Sequence, residues 1–295
     1  MHTFAPMLLS PASKLPPHGY AFEFKWDGFR ALVGLNRGRL SIHSRTLRDM
    51  TADFPEIEAL AAQARKHRLV LDGELVCLGD DGRPCFERIQ QKLRRGHRAP
   101  HAAAFMAFDI LQQGGRDLTA CPYSERRMRL DDLGLRGSHW QTPAFSENGA
   151  AMLKISRQHA LEGIVAKRMN SAYRPGQRGR DWLKIKNFKE SAFLICGWLP
   201  ADQKREHGQS LILGHQDNDG ALHYAGTVEY GFSHGTVRSI KKALAGQVVT
   251  VPPFGARFKL NGATYCEPLL STLIRYLEWT SSGTLRHASF RSLLC

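Results

Sequence analysis

The chain has 295 residues, which favours two domains over one, and its hydrophobic content of 42% is ordinary for a globular protein. Lys and Arg number 41 against 27 Asp and Glu, a formal charge of +14 that points to a polyanion, usually nucleic acid. No run of about 18 apolar residues and no basic amphipathic helix stands out, so a membrane partner is not expected.

Pro6, Pro11, Pro16 and Pro17 predict an extended surface run over residues 1–20. The opening MHTFAPMLLSPASK lacks a charged region followed by a long apolar core, so no secretory signal is expected. In FEFKWDGFR, Phe22 and Phe24 alternate with Glu23 and Lys25, the period of a half-buried strand. Asp27-Gly28 is a turn dipeptide, so this strand should end just after Lys25, with Arg30 on the way back. RALVGL and RLSIHSR flank an expected hairpin turn at Asn36-Arg37-Gly38. The spacing of Phe54, Ile57, Leu60, Ala61 and Ala64 predicts a helix from Asp53 to His67, capped by Asp53. Arg68 to Val76 reads as a strand, Asp80 to Pro84 as a turn, and Phe86 to Arg95 as a helix with a basic end. Ala103 to Leu111 reads as a buried strand, and Ser124 to Leu133 as a short helix capped by Ser124. A helix over Asn148 to His159, a strand over Gly163 to Arg168, a charged loop over Tyr173 to Asp181 and a strand over Trp182 to Lys186 complete the first domain. After about Lys189, short apolar runs alternate with turns such as DNDG, interrupted by one helix candidate from Gly235 to Ala245. That texture predicts a small all-β barrel of the oligonucleotide-binding (OB) type.

Cys77, Cys85, Cys121, Cys196, Cys266 and Cys295 form no CxxC pair, which argues against a zinc ribbon and a disulfide framework. Reduced thiols in a cytoplasmic protein are the economical reading. More telling are charges on otherwise apolar strands: Glu74, Glu162, Lys184 and Lys186. Each alone fits a cap, an edge strand or a surface ion pair, just as KxDG alone fits an ordinary hairpin. Together they imply one polar cleft, because charge on core strands is costly unless paired or metal-bound. The chemistry such a cleft suits is nucleotidyl transfer. Lys25 would be the nucleophile, made reactive by the cations crowding it. Glu74 and Glu162 would hold a divalent cation, and an aromatic ring would stack on the base.

These residues resemble the ATP-dependent DNA ligases of the covalent nucleotidyltransferase superfamily, in particular the bacterial end-joining ligase domains of the LigC and LigD type. The likeness rests on KWDGFR, the Ser44-Arg45 pair in IHSRT, LDGEL, FDIL, EGIVAK and WLKIK, in that order. It implies an α+β fold, with an antiparallel-sheet nucleotidyltransferase (adenylation) domain over residues 1–189 and an OB-fold domain over 190–295. By the same resemblance Lys25 attacks the α-phosphorus of ATP to give lysyl-AMP, and Asp27 supports it. Glu23 reads the adenine edge and Phe108 stacks on adenine. Arg30 and Glu74 hold the ribose, and Arg45 contacts nucleotide or DNA phosphate. Glu162, with Glu74, places Mg²⁺ or Mn²⁺, while Lys184 and Lys186, helped by Arg178, bind the α-phosphate.

The implied substrate is nicked or broken duplex DNA in repair, recombination or replication. A Ku-type end-binding protein and a repair polymerase are candidate partners. The implied protein is a monomer in the bacterial cytoplasm, associated with the nucleoid. Glu278-Trp279-Thr280 and Leu285-Arg286-His287 resemble the family's C-terminal segment. Its usual Arg-x-Asp-Lys ending is not found: Leu294 stands at the arginine position, before Cys295. Slow self-adenylation is therefore expected, with use of a preformed lysyl-AMP retained. An RNA ligase or capping guanylyltransferase shares KxDG, but the wording of IHSR, LDGEL and EGIVAK favours DNA ligase. A nick- or end-binding module without turnover is the alternative of a different class.

Overall fold

The computed structural model describes residues 4–200 and 209–294. The expectation tied to Cys295 lies outside the described residues. The chain divides into two compact units, Met1–Asn187 and Phe188–Cys295. Among the described residues no helix is long and apolar enough to cross a membrane.

In the first unit two sheets face each other. The smaller has four strands in the order Leu8–Pro11, Arg178–Lys186, Gly163–Arg168 and Tyr20–Phe24. The larger is built around Arg39–Ser44, Phe29–Asn36, Arg68–Cys77 and Ala103–Gln113, in that order. Most pairs are antiparallel, but Leu8–Pro11 runs parallel to Arg178–Lys186, and Trp140–Gln141 runs parallel to Ala103–Gln113. Leu32, Val70, Phe108 and Leu111 of the larger sheet meet Trp182 and Met7 between the layers. The other face of the larger sheet is covered by Phe54, Ile57, Leu60 and Ile89. On the far side of the smaller sheet, Met152 of helix Gly149–Gln158 packs on Phe22 and Ile164. Burial of such side chains contributes roughly 1.5–3 kcal/mol each, so the layering follows from the alternation in the strands.

Several local expectations change. The described part of the expected surface run, residues 4–20, does not simply cross the surface: Met7 is buried and Leu8–Pro11 joins the sheet. The helix expected over Asp53 to His67 breaks into 3₁₀ turns at Thr51–Asp53 and Pro55–Ile57 and one α turn at Leu60–Gln63. Pro55 opens the second of these turns, where its missing N–H costs nothing, and so ends the turn before it. Asp53 makes no cap, although the apolar residues of the segment are buried as their spacing implied. Ser124 lies inside helix Tyr123–Asp132, whose N-cap position is Pro122. Asn148 does cap its helix, accepting the Ala151 N–H at 3.0 Å. The loop expected to reach Asp181 gives way to strand at Arg178.

The main sheet of the second unit runs in the order Leu222–Val228, Ser210–Gln216, Lys189–Leu199, Thr264–Tyr276 and Val248–Val249, with Ser289–Leu294 also on Thr264–Tyr276, and Glu278–Trp279 pairs separately with Leu285–Arg286. Every pair in the main sheet is antiparallel. Helix His234–Ala243, capped by Ser233, contributes Val237 and Ile240 to a core with Phe193, Leu211, Leu213 and Ile274. One helix on an antiparallel sheet is the make-up of an OB-fold.

Candidate active site

Strand register delivers the chemistry. Val165 stands opposite Glu23 on one side and Lys184 on the other, and Lys167 stands opposite Trp182. With a side-chain period of two, Glu23, Val165, Lys167, Trp182, Lys184 and Lys186 share one face of the smaller sheet. Phe22, Ile164, Ala166 and Ile185 take the other face and its core. The Lys25 N–H donates to the Gly163 carbonyl at 2.9 Å, which sets its side chain beside Glu162. Lys25 Nζ contacts Glu162 Oε2, and Lys186 Nζ lies 2.7 Å from Glu162 Oε1. Two amines thus share one carboxylate. Burial alone would raise the Glu162 carboxyl, but the two ammonium groups outweigh it and hold it below the usual range. The cation crowding expected at Lys25 is therefore answered by an anion in direct contact. Lys184 is pushed down, first by burial and then by Lys186, Lys25 and Arg178.

A cavity open to solvent, with about 360 Å³ of empty space in and around its mouth, lies between the sheets of this unit. Glu23, Lys25, Arg30, Glu74 and Phe108 line it, as do Lys167 and Trp182, which sequence reasoning did not single out. Glu23 is buried and already engaged: Lys167 Nζ lies 2.8 Å from Oε2, and the Tyr123 hydroxyl donates to Oε1. Lys167 also donates to the Phe108 carbonyl at 3.1 Å, and its ammonium lies 4.3 Å from the Phe108 ring centre and 4.6 Å from that of Trp182. Burial lowers the Lys167 pKa, and Glu23 partly restores it. The signal for Lys167 was present in its alternation with Ile164 and Ala166. Its partners lie far away in sequence.

Arg30 makes a bidentate pair with Asp72 at 2.5 and 2.6 Å and lies over the Phe108 ring at 4.5 Å. Burial would lower the guanidinium pKa, yet Asp72 outweighs it, so Arg30 stays charged. Tyr173 donates to Asp72 at 2.6 Å and fixes the carboxylate from behind. Glu74, opposite Arg30 in register, is pushed up to about 7 by burial, with Arg30 and Lys25 pulling the other way. Its oxygens take no hydrogen bond or ion pair among the described residues. Nor do these residues contain a cluster of three His, Cys, Asp or Glu side chains able to hold a metal by themselves. A hard cation here would need Glu74 and Glu162 together with oxygens of a bound phosphate or water, and an unpaired, desolvated carboxyl on the cavity wall fits that demand.

Of the predicted residues, Asp27, Arg45, Glu162, Arg178, Lys184 and Lys186 do not line the cavity, although Glu162 contacts Lys25, which does, and Lys186 pairs with Glu162. Arg45 is exposed on the loop after Arg39–Ser44, and the Arg178 guanidinium donates to the Leu9 carbonyl. Asp27 is half-buried in the turn before Phe29. Gly28 beside it has no room for a side chain, because a Cβ would collide with the Leu75 carbonyl and the Val76 side chain. The Trp182 indole N–H is buried without a partner among the described residues.

The family model described as "ATP dependent DNA ligase domain" matches residues 6–186, and that for the "ATP dependent DNA ligase C terminal region" matches residues 204–293. The multifunctional non-homologous end joining DNA repair protein LigD of Mycobacterium tuberculosis is 36% identical over 98% of this chain, which spans 38% of that relative's length. DNA ligase C of the same species is 32% identical over 77% of this chain and 66% of its own. The ligase domain of M. tuberculosis LigD has a solved structure that is 36% identical, covers 99% of this chain and 95% of its own, and superposes with a TM-score of 0.61. A mycobacterial DNA ligase D complexed with ATP and MES gives 35% identity, the same coverages and the same TM-score. The chain belongs to the ATP-dependent DNA ligase family.

Proposed function

We propose that this chain seals breaks in duplex DNA through a lysyl-AMP intermediate. The observation that carries the reading is the sharing of Glu162 by Lys25 and Lys186 at the edge of a cavity that offers an aromatic face, a bidentate arginine and a free carboxyl. The unprotonated Lys25 amine attacks the α-phosphorus of ATP, so a nitrogen–phosphorus bond forms as the bond to pyrophosphate breaks. Lys184 and Lys186 neutralise the charge developing on the phosphate oxygens. Glu162 orients the attacking amine, and Asp27 steadies the turn that follows it. Phe108 and Val165 offer apolar faces to adenine, and Glu23 and Lys167 offer an acceptor and a donor to its edge. Arg30 and Glu74 are set to hold ribose hydroxyls, and Arg178 and Arg45 to meet phosphate. A divalent cation, Mg²⁺ or Mn²⁺, would be held by Glu74 and Glu162 and would supply further charge neutralisation on the phosphates.

AMP then passes to a 5′-phosphate at the break, and the 3′-hydroxyl displaces it to close the strand. Residues 1–189 serve as the adenylation domain and 190–295 as the OB domain. The end-joining role of the LigD relatives supports a repair setting with a Ku-type protein and a polymerase nearby, in a cytoplasmic, nucleoid-associated protein. Purified protein incubated with ATP should gain one adenylate by mass spectrometry, and Lys25→Ala should gain none. Labelling that persists in Lys25→Ala would remove the nucleophile from this reading.

A further inference from the structure

Five arginines from two separate segments meet at one end of the larger sheet in the first unit. Arg45 and Arg48 come from the loop after Arg39–Ser44, and both are exposed. That loop is pinned: the Arg48 N–H donates to Ser44 Oγ at 3.0 Å, and the Ser44 N–H donates to the Arg48 carbonyl at 2.9 Å. Arg94 and Arg95 close helix Phe86–Arg95, and Arg98 ends the 3₁₀ turn Gly96–Arg98. All three are exposed, with no hydrogen bond or ion pair among the described residues.

Asp53 ties the segments together. Its Oδ2 lies 3.9 Å from the Arg48 guanidinium, and a Cβ placed on Gly96 would come within 3.0 Å of its Oδ1. Gly96, at φ 58, also supplies the left-handed residue that turns the chain out of the helix. Strand register sets the location. Ser44 pairs with Ala31, Leu75 with Phe29, and Cys77 with Ala103. The loop after Ser44 and the chain leading into Ala103 therefore lie at the end of the sheet where the Asp27-Gly28 turn enters it.

Arg94 and Arg95 also suit the negative end of the helix dipole, a small effect at an exposed site. The dipole accounts for neither Arg98 nor the two arginines of the other loop. Facing the five are Asp49, whose Oδ1 accepts the N–H and hydroxyl of Thr51, and Asp53. Glu56, on the same segment, is taken by Lys92. The net charge of the patch is strongly positive; Arg48 is met by Asp53 at 3.9 Å, while the guanidinium groups of Arg94, Arg95 and Arg98, without a partner among the described residues, can fork onto phosphate.

We propose that Arg48, Arg94, Arg95 and Arg98 extend the position of Arg45 into a surface that follows the sugar–phosphate backbone of duplex DNA beside the break. This rests on the ligase reading and adds to it a grip on DNA outside the nucleotide cavity. The test uses the full chain as R94A/R95A/R98A and as R94K/R95K/R98K. Lysyl-AMP formation from ATP is read by mass spectrometry, and affinity for a nicked duplex by fluorescence anisotropy over a salt series. The alanine variant is expected to load AMP as the parent does and to bind the duplex at least tenfold more weakly. Its log–log salt slope should shrink by about 0.9 for each phosphate that the variant no longer neutralises. The lysine variant should keep most of the slope. Unchanged affinity and slope in the alanine variant would overturn the patch. Loss of AMP loading would overturn it too, since the arginines would then act on the fold or the nucleotide site. A parent protein that loads no AMP, or ignores duplex DNA, would instead defeat the ligase reading itself.

Discussion

Glu162 is the residue on which the site turns. With its carboxylate removed, Lys25 and Lys186 face each other as like charges at the strand ends, and the attacking amine loses its hold. Glu162→Ala should therefore slow AMP loading by roughly 10²-fold or more, the order expected when a reacting group shifts by about 1 Å. Quench-flow labelling would read this, and a near-parental rate would show that Glu162 is not what orients Lys25. Glu74 carries a different signature. Its folded-state pKa, pushed up to about 7, lies above its ordinary value, so the folded protein binds the proton more tightly than the unfolded chain does. Stability contributed by the protonated form is fully present at low pH and lost as pH rises towards 7. Glu74→Gln should be more stable than the parent at about pH 8, with the difference fading near about pH 4. Urea midpoints at the two pH values would check it, and a constant difference would show that Glu74 does not titrate this way. At this scale Lys25, Glu162 and Lys186 were legible because each sits at a strand end within a short charged motif. Lys167 and Tyr123 were not, because both answer Glu23, 144 and 100 positions away, and the Tyr173 that fixes Asp72 is 101 positions away.

Single elements hold the site through tight contacts. The turn at Asp27-Gly28 can approach strand Arg68–Cys77 only because Gly28 has no side chain. Gly28→Ala should push that turn off the strand carrying Glu74, lowering AMP loading and also stability, by about 1–3 kcal/mol for an overpacked site. Parental loading and stability together would mean the turn has slack. Helix Tyr123–Asp132 is anchored differently: Arg126, fully buried, meets both oxygens of Asp109 at 2.8 and 2.9 Å. Asp109→Ala leaves that guanidinium buried without its anion and should cost about 3–5 kcal/mol in a denaturation experiment. The hairpin at Arg37 and Gly38 was readable because both residues adopt positive φ in a two-residue turn that suits Gly. The segment after Asp53 misled because its apolar spacing is helical while Pro55 interrupts its hydrogen bonding. Spacing reports which side chains are buried, whereas proline decides whether the backbone between them can coil.

For the whole molecule, the excess of basic residues predicts that affinity for duplex DNA falls steeply with salt, by about 0.9 in log–log slope per phosphate neutralised. Anisotropy titrations across a salt series would show it, and a flat response would argue against a duplex substrate. The layered plan of the first unit was visible as alternation within strands. Their neighbours were not, because nothing local in LLSP foretells a parallel partner near residue 180. That pairing has a consequence for biosynthesis. Ser10 donates a hydrogen bond to the carbonyl of Gly179, 169 positions away, and Tyr20–Phe24 waits for Gly163–Arg168. Translation at about 5–20 residues per second leaves those early strands without their mates for many seconds. The pocket wall can close only after almost the whole unit has left the ribosome, so adenylation competence must come late in the making of the chain.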